Sequence, residues 1–244
     1  MTTKEIDDEM IAQAASRIQD DPAHSKLAAR LLLGNLRADV HKLASKFHES
    51  IAYCNKMWLA QSPDWRYELW DDRIIDFVKT HQEELVAMID DDRDDEMDFF
   101  GAKVTVEKYL HSDPDGRILE TVQFFKLRIA VAVSETLEQV REVYQILSLN
   151  QAGFATPIRL NLGMKKGSGA SCFLHNVNHD SLESIMTDGL SKTAALSRGG
   201  GGVAVYCGRM RAGGSTISGT NGKTNGPLKW LKEIDAQINY VDQG

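Results

Sequence analysis

Residues 155–185, ATPIRLNLGMKKGSGASCFLHNVNHDSLESI, decide the fold of this 244-residue chain. A glycine-containing turn leads into a short β-type run at 171–174, which carries Cys172. A second β-type run follows at 202–209, and apolar residues at helical spacing separate the two runs. The order strand, helix, strand predicts an α/β unit.

Two helices are predicted in this part of the chain. Asp180 is the candidate N-cap of the first helix, and Pro227 occupies the first helical position of the second. Each helix has one apolar stripe, which predicts a face that packs in a core. The stripes are Leu182, Ile185, Met186 and Leu190 in the first helix, and Leu228, Leu231, Ile234, Ile238 and Val241 in the second.

Helical periodicity in residues 1–150 predicts a helical domain, and no residue pattern there indicates a catalytic site. Thr2 and Glu5 have the spacing of a capping box at the start of a short amphipathic helix. A second helix is predicted from Ser25 towards Tyr53, and two more over 121–149. The predicted domains are residues 1–20, 21–150 and 151–244.

Two unusual stretches of the helical domain have ordinary explanations. Trp58, Trp65 and Trp70 resemble a base-stacking platform, but few basic residues accompany them. They are predicted to pack a helix–loop–helix join around Pro63. The acidic run at 90–98, DDDRDDEMD, lacks the glycine and terminal glutamate of an EF-hand loop, and it is predicted to be a solvated turn.

Composition excludes several classes of protein. The formal net charge of -7 argues against a general nucleic-acid surface. No apolar run reaches the length of a membrane helix and the acidic N-terminus is unlike a signal peptide, so a cytoplasmic protein without a membrane partner is expected. The three cysteines form no disulfide framework or metal-ligand pattern, so no metal site is predicted. No histidine is assigned a role.

Several features are candidates for chemistry, and each has a plain alternative. Cys172 follows Lys165 and Lys166, whose charge favours a reactive thiolate, but an inert buried cysteine fits the same pattern. Thr156 before a proline fits a phosphate contact or a simple turn. The GGGG loop at 199–202 permits close approach of a ligand to the backbone.

A second candidate site lies in the loop after the second β-type run. Arg209 and Arg211 are placed to grip phosphates while Asp180 accepts a hydrogen bond from a ribose hydroxyl. Helix capping by Asp180 and a solvated glycine loop are the alternatives. No dinucleotide fingerprint or P-loop is present, so the Rossmann and P-loop interpretations are rejected.

Four motifs in this order resemble the large, catalytic subunit of ribonucleoside-diphosphate reductase. They are TPIRLNLG, GASCFLHNVNHDSLESI, GGGGVAVYCGRMRAGGSTISGTNGKTNG and NYVDQG, and a fainter resemblance runs back through LAARLLLGNLR and KYL. The resemblance implies the fold class α/β: an N-terminal helical domain followed by the first part of a ten-stranded α/β barrel, incomplete in this chain. It also implies reduction of ribonucleoside diphosphates for DNA synthesis by radical chemistry.

The resemblance carries specific residue roles. Cys172 matches a strand cysteine that reduces the substrate together with a second cysteine, and the pair becomes a disulfide. Thr156, Ser171 and Gly202 match substrate-contacting positions. The allosteric specificity site, which binds a deoxynucleoside triphosphate or ATP, is matched by Asp180, Ser181, Leu182 and Arg211. Ser218 stands where some large subunits have a second phosphate-binding arginine.

The chain also departs from the family. Members are several times longer, and the segments with the radical-bearing cysteine, the second redox cysteine and the C-terminal cysteine pair have no counterpart here. Residues 1–20 resemble only the last helix of an ATP-cone domain, so no activity switch is expected. We therefore expect the N-terminal part of a split or interrupted large subunit; a non-catalytic nucleotide-binding or regulatory fragment is the alternative.

The resemblance further implies partners. These are a complementing C-terminal large-subunit polypeptide, a small subunit whose metal centre generates the radical, and a reductant of the thioredoxin or glutaredoxin type. Homodimerisation of the assembled large subunit is also expected, with the helix after Asp180 and the last helix at the interface.

Overall fold

The computed structural model describes residues 2–61, 68–113, 115–165, 167–199 and 201–241. The chain divides into two units, residues 1–167 and 168–244. The predicted boundary after residue 150 falls inside the first unit. None of the helices in the described ranges is long and apolar enough to cross a membrane.

The first unit consists of helices. Its elements are α1 (Thr3–Ser16), α2 (Ala23–Leu43), α3 (Phe47–Gln61), α4 (Asp72–Thr80), α5 (Gln82–Met88), a 3-10 helix (Asp91–Glu96), α6 (Phe99–Lys108), α7 (Val122–Val133), α8 (Leu137–Ser148) and α9 (Thr156–Asn161). The helical domain predicted from the sequence is therefore confirmed.

Side-chain caps explain where several of these helices begin and end. The predicted capping box is confirmed: Thr2 and Glu5 exchange hydrogen bonds at the start of α1. The prediction of one helix from Ser25 towards Tyr53 is wrong, because α2 ends at Leu43 and α3 begins at Phe47. At this break the Glu49 carboxylate accepts hydrogen bonds from the backbone N–H groups of Ser45 and Lys46, at 2.9 and 3.1 Å.

Helix α7 lies at the centre of the first unit. Its residues from Val122 to Ala132 are all buried, and Thr121 caps its N-terminus through a hydrogen bond from the Phe124 N–H. A helix that is buried on every side normally has an apolar surface all round. Here Arg128 and Lys126 are buried as well, so the core must supply partners for their charges.

Arg128 bonds to a carboxylate. Its Nε and Nη2 donate to the two carboxylate oxygens of Glu120, both at 3.0 Å, and the two side chains are nearly inaccessible to solvent. The guanidinium carbon also lies 5.6 Å from the ring centre of Trp70 and 5.3 Å from that of Phe125. The charge of Glu120 is thus compensated inside the core, and Arg128 lowers the pKa of this carboxyl against the effect of burial.

The prediction of a solvated turn at residues 90–98 is wrong for one aspartate. Asp94 is only 4% exposed, and its carboxylate accepts a 2.6 Å hydrogen bond from Gln123 Nε2. Arg37 and Lys126 lie 3.4 and 3.9 Å from the same carboxylate. Burial raises the pKa of Asp94. The acidic run therefore contributes one side chain to the core of the first unit.

Trp70 shows how one of the predicted aromatic residues packs. Its side chain is fully buried and donates a hydrogen bond from Nε1 to the Ile51 carbonyl oxygen at 3.2 Å. Trp58 is about half exposed. Trp65 and Pro63 lie outside the described residues, so the predicted join around Pro63 stays a prediction.

The second unit contains the predicted α/β arrangement. Two parallel strands, β1 (Cys172–Asn176) and β2 (Gly202–Tyr206), pair in register from Cys172↔Gly202 to Asn176↔Tyr206. Between them lie α10 (Leu182–Ser184), a π-helical segment (Ile185–Ser191) and α11 (Lys192–Arg198), and α12 (Leu228–Tyr240) follows the glycine-rich loop. Within the described residues the sheet has only these two strands, so it is not closed.

Two details at the helix starts differ from the prediction. Ser181, not Asp180, caps α10 by accepting a hydrogen bond from the Ser184 N–H. Pro227 lies one position before α12. The apolar stripes are divided: Ile185, Leu190 and Ile234 are buried, whereas Leu182, Met186, Leu228 and Leu231 are exposed.

His175 joins β1 to the helical segment that follows it. Its Nε2 lies 3.1 Å from the Thr193 hydroxyl oxygen, and that hydroxyl donates a hydrogen bond to the Gly189 carbonyl. Since the hydroxyl has one proton, its oxygen accepts from the imidazole, which places a proton on Nε2. The strand that begins with Cys172 is therefore tied to the π-helical segment through buried polar groups.

Candidate functional site

Ser171, Cys172 and Gly202 meet at one end of the two-stranded sheet. Cys172 and Gly202 are register partners, and the Gly202 N–H donates a 2.7 Å hydrogen bond to the Ser171 carbonyl oxygen. Cys172 and Gly202 are exposed. The missing side chain of Gly202 leaves the backbone next to Cys172 open to a ligand. The structure thus brings together three of the predicted site residues.

Cys172 differs from the other two cysteines. Cys54 is buried, and burial raises the pKa of its thiol to about 12. Cys207 is half-buried, and burial also raises the pKa of its thiol. Cys172 is exposed, so the alternative of an inert buried cysteine does not apply to it. Of the three cysteines, Cys172 is the one whose side chain is most accessible to solvent.

Of the two lysines before Cys172, the structure describes only Lys165. Lys165 forms ion pairs within the first unit, with Nζ 2.9 Å from the Glu68 carboxylate and 2.8 Å from that of Asp72. These bonds raise the pKa of Lys165 and occupy its charge. Lys166 lies outside the described residues. The predicted effect of lysine charge on the Cys172 thiolate therefore gains no support from Lys165.

Asp180 and Arg211 form the centre of the second predicted site. Arg211 Nε donates to Asp180 Oδ2 at 2.5 Å, although the residues are 31 positions apart in sequence. The other guanidinium nitrogens of Arg211 donate to the carbonyl oxygens of Thr216, at 2.7 Å, and Asp180, at 3.4 Å. Both side chains stay about one third exposed, at 29% and 31%. The guanidinium is held in place and still reaches solvent.

Two further residues of the predicted effector site, Ser181 and Leu182, directly follow Asp180. Ser181 caps α10, and Leu182 follows it with 65% of its surface exposed. Arg209 Nη1 donates to the Asn178 carbonyl oxygen at 3.2 Å, which holds the loop after β2 near the one before α10. Leu182 is therefore an exposed apolar side chain two positions after Asp180, which holds the Arg211 guanidinium. A nucleotide needs both kinds of group, because its base needs apolar contact and its phosphates need charge.

Thr156 belongs to the first unit, where it begins α9 before Pro157. Its hydroxyl oxygen lies 3.3 Å from the Tyr109 hydroxyl oxygen, and Arg159 lies one turn further along α9. Sequence reasoning missed Tyr109 and Arg159. The only sequence signal for Tyr109 is the short motif KYL, which is 47 residues before Thr156.

Among the residues that the structure describes, no group of three or more His, Cys, Asp or Glu side chains is placed to hold a metal ion.

Comparison with known proteins identifies the family of the chain. Residues 95–167 match the family model described as "Ribonucleotide reductase, all-alpha domain", and residues 170–244 match the one described as "Ribonucleotide reductase, barrel domain". The chain belongs to the ribonucleotide reductase large-subunit family. The resemblance seen in the four sequence motifs is confirmed, and so is the predicted order of a helical domain and the start of a barrel.

Individual relatives agree with this assignment. The chain is 33% identical over 245 residues to the "Ribonucleoside-diphosphate reductase large chain" of Schizosaccharomyces pombe, covering 100% of this chain and 30% of the relative. The protein of the same name from Neurospora crassa is 33% identical over 246 residues, with coverages of 100% and 26%. The "Ribonucleoside-diphosphate reductase large subunit" of Danio rerio is 32% identical over 246 residues, with coverages of 100% and 30%. The chain spans less than one third of the length of these curated relatives.

Proposed function

We propose that this chain contributes the first part of a reductase active site that converts ribonucleoside diphosphates to deoxyribonucleoside diphosphates. The observation that carries the proposal is the cluster of half-buried Ser171 with exposed Cys172 and Gly202 at the paired ends of β1 and β2. This cluster lies within the part of the chain that matches the reductase barrel domain. Ser171, Gly202 and Thr156 contact the substrate in this proposal.

Cys172 supplies one of the two thiols that reduce the substrate. Its thiol and a second cysteine thiol are oxidised to a disulfide, which releases two electrons and two protons. The 2′-hydroxyl of the ribonucleotide leaves as water, and a hydrogen replaces it. A dithiol reductant of the thioredoxin or glutaredoxin type then restores the two thiols by exchange.

The remaining groups come from outside this chain. We propose that the second cysteine and the radical-bearing cysteine lie in segments that correspond to the rest of the relatives' length, on the same polypeptide or a complementing one. A small subunit with a metal centre supplies the radical, and the assembled large subunit forms a homodimer. We also propose that the assembly works in the cytoplasm.

The proposal includes an allosteric site at Asp180, Ser181, Leu182 and Arg211. The guanidinium of Arg211 is oriented by three hydrogen bonds and is still accessible, which suits a triphosphate. Leu182 offers an exposed apolar surface for the base. A deoxynucleoside triphosphate or ATP is the proposed effector.

The experiment that tests this function compares cysteine variants in the assembled enzyme. The chain is combined with the polypeptide that supplies the remaining large-subunit segments, a small subunit and a dithiol. Formation of deoxynucleoside diphosphate is measured. We expect Cys172→Ser to abolish turnover without loss of assembly, and Cys207→Ser to keep it. Full activity of Cys172→Ser would remove this residue from the mechanism.

A non-catalytic nucleotide-binding fragment is the second candidate, and the ordered Asp180–Arg211 pair is the observation that favours it. Equilibrium dialysis with labelled deoxynucleoside triphosphates measures that binding directly. Binding by the wild-type chain, with no reduction in any assembly that contains it, would support this second function.

A further inference from the structure

Three side chains of the first unit cluster around Thr156. Tyr109 directly follows α6, Thr156 is the first residue of α9, and Arg159 lies three positions later. The hydroxyl oxygens of Tyr109 and Thr156 are 3.3 Å apart, and the Arg159 guanidinium carbon is 4.9 Å from the centre of the Tyr109 ring. Positions i and i+3 share one side of a helix, so Thr156 and Arg159 face the tyrosine together.

Packing fixes the tyrosine and the arginine in this arrangement. The Tyr109 side chain is only 8% exposed, and its ring stacks on Phe125 with the centres 6.2 Å apart. The Arg159 guanidinium lies against Gly153, where an added methyl carbon would come within 2.5 Å of Nη2. The guanidinium is therefore held between an aromatic ring and a glycine, which reduces the entropy that it loses when it binds a ligand.

The charge of Arg159 has no carboxylate partner in the ranges that the structure describes, whereas Arg117, Arg128 and Arg211 all have one. Lys108 adds a second positive charge, with Nζ 5.8 Å from the Tyr109 ring centre. The hydrogen bond with Thr156 lowers the pKa of Tyr109, and the charges of Arg159 and Lys108 act in the same direction. The surroundings of the two hydroxyl groups are therefore positive.

We propose that Arg159, oriented by Tyr109, binds the diphosphate group of the nucleotide that Thr156 contacts and gives the site its preference for a diphosphate over a monophosphate. This inference rests on the proposed function, which places a ribonucleoside diphosphate at Thr156. A planar guanidinium donates two parallel hydrogen bonds to a phosphate. The hydroxyl groups of Thr156 and Tyr109 share one hydrogen bond, so one of the two keeps its proton as a neutral donor beside the guanidinium.

Binding of inorganic pyrophosphate and orthophosphate to the full chain, measured by titration calorimetry, tests this inference. We expect the wild-type chain to bind pyrophosphate more tightly than orthophosphate. Arg159→Gln should weaken pyrophosphate binding by about tenfold or more, the usual scale for one charge-assisted hydrogen bond, and should remove the preference. Arg159→Lys keeps the positive charge but lacks the planar guanidinium with its two parallel donors, so it should bind pyrophosphate more tightly than Arg159→Gln and less tightly than the wild type.

Two further variants make the test specific. Arg141 is an exposed arginine of α8, so Arg141→Gln makes the same change of charge elsewhere and should leave pyrophosphate binding unchanged. Gly153→Ala displaces the Arg159 guanidinium without removing its charge and should weaken pyrophosphate binding less than Arg159→Gln. Equal affinity for the two anions in the wild-type chain, or unchanged binding in Arg159→Gln, would overturn the inference.

Kinetics of the assembled reductase separate this inference from the proposed function. Arg159→Gln should raise the KM for the nucleoside diphosphate about tenfold with a much smaller change in kcat, because the guanidinium binds the substrate at a distance from the reacting carbon. If the wild type reduces the substrate and Arg159→Gln has the same KM, the proposed role of Arg159 is wrong, but the proposed function is not affected. If the wild type shows no reduction but its pyrophosphate binding depends on Arg159, the proposed function is wrong and the anion site is supported.

Discussion

Each unit of this chain contains an arginine–carboxylate pair, and the two pairs differ in exposure. In the first unit, the side chains of Arg128 and Glu120 are 1% and 3% exposed. In the second unit, those of Arg211 and Asp180 are 29% and 31% exposed. A buried pair cannot lose one partner without leaving an uncompensated charge in the core, whereas water solvates a charge that is about one third exposed. The core therefore requires both members of the first pair, whereas the second pair leaves its guanidinium accessible to solvent.

The apolar residues show the same difference. The continuous hydrophobic core is formed by residues of the first unit, from Ala29 to Leu147. In the second unit, Leu174 and Leu182 are 86% and 65% exposed on β1 and α10. We conclude that substitutions at the surface of the second unit should affect binding more than folding, and that the reverse should hold in the core of the first.

The largest expected effect is on the buried pair. Arg128→Met leaves Glu120 charged and buried, which should lower the free energy of unfolding by about 3–5 kcal/mol. Urea unfolding measures the change. The double variant Glu120→Leu/Arg128→Met removes both charges and should recover part of the loss. A loss of less than about 1 kcal/mol in Arg128→Met would break the comparison between the two pairs.

The next effect depends on pH. Burial, together with the charge of Arg128, lowers the pKa of His111 from 6.5 to about 4. As the pH falls below 6.5, the unfolded state binds the proton first, so the folded state loses stability until the pH reaches about 4. Between pH 7 and pH 4.5 this should cost about 2–3 kcal/mol.

Substitution of His111 isolates that contribution. His111→Gln should have a shallower pH dependence of the free energy of unfolding between pH 7 and pH 4.5 than the wild type, because it removes the group with the lowered pKa. If the free energy of unfolding of His111→Gln had the same pH dependence as that of the wild type, the core would not hold the His111 side chain neutral.

A smaller effect on stability is expected at the exposed pair. Arg211→Gln should lower the free energy of unfolding by less than about 1 kcal/mol, because water solvates the remaining Asp180 carboxylate. The same change should weaken the binding of a deoxynucleoside triphosphate by about tenfold or more, since it removes a charge-assisted contact to phosphate. Dialysis and urea unfolding measure the two quantities. A large loss of stability with unchanged binding would assign Arg211 to the fold.

The smallest effect is expected on the open face of the sheet. Leu174→Ser should change the free energy of unfolding by less than about 0.5 kcal/mol, because the side chain is already in water. Leu190→Ala, at a buried position of the same unit, should cost about 2–5 kcal/mol and serves as the comparison. A cost at Leu174 as large as that at Leu190 would show that this face is covered in solution.

Local sequence patterns predicted the parts of the fold that depend on neighbouring residues. The capping box at Thr2 and Glu5, the helices over 121–149 and the two short strands each depend on residues that are close together in the chain. The helix break before Phe47 was missed, because it depends on one glutamate side chain that bonds the backbone at the break.

Contacts between distant residues could not be predicted in this way. Asp94 lies in a run that looks solvated, and its partner Gln123 is 29 residues away. Asp180 and Ser181 are both good N-caps; Ser181 caps α10, while Arg211 bonds to Asp180 from 31 residues further on. The relation of Tyr109 to Thr156 is hidden for the same reason. The sequence therefore indicated candidate residues but not the groups that orient them.

The parallel pairing of β1 and β2 also has a consequence for handling the protein. Each five-residue strand pairs with the other strand along one of its two edges. The backbone amide and carbonyl groups on the two outer edges therefore pair with no other described strand. Open strand edges of this kind recruit further strands from other molecules. Preparations of these residues on their own should therefore lose soluble protein as concentration rises, and low concentration or co-expression with segments that extend the sheet should preserve it.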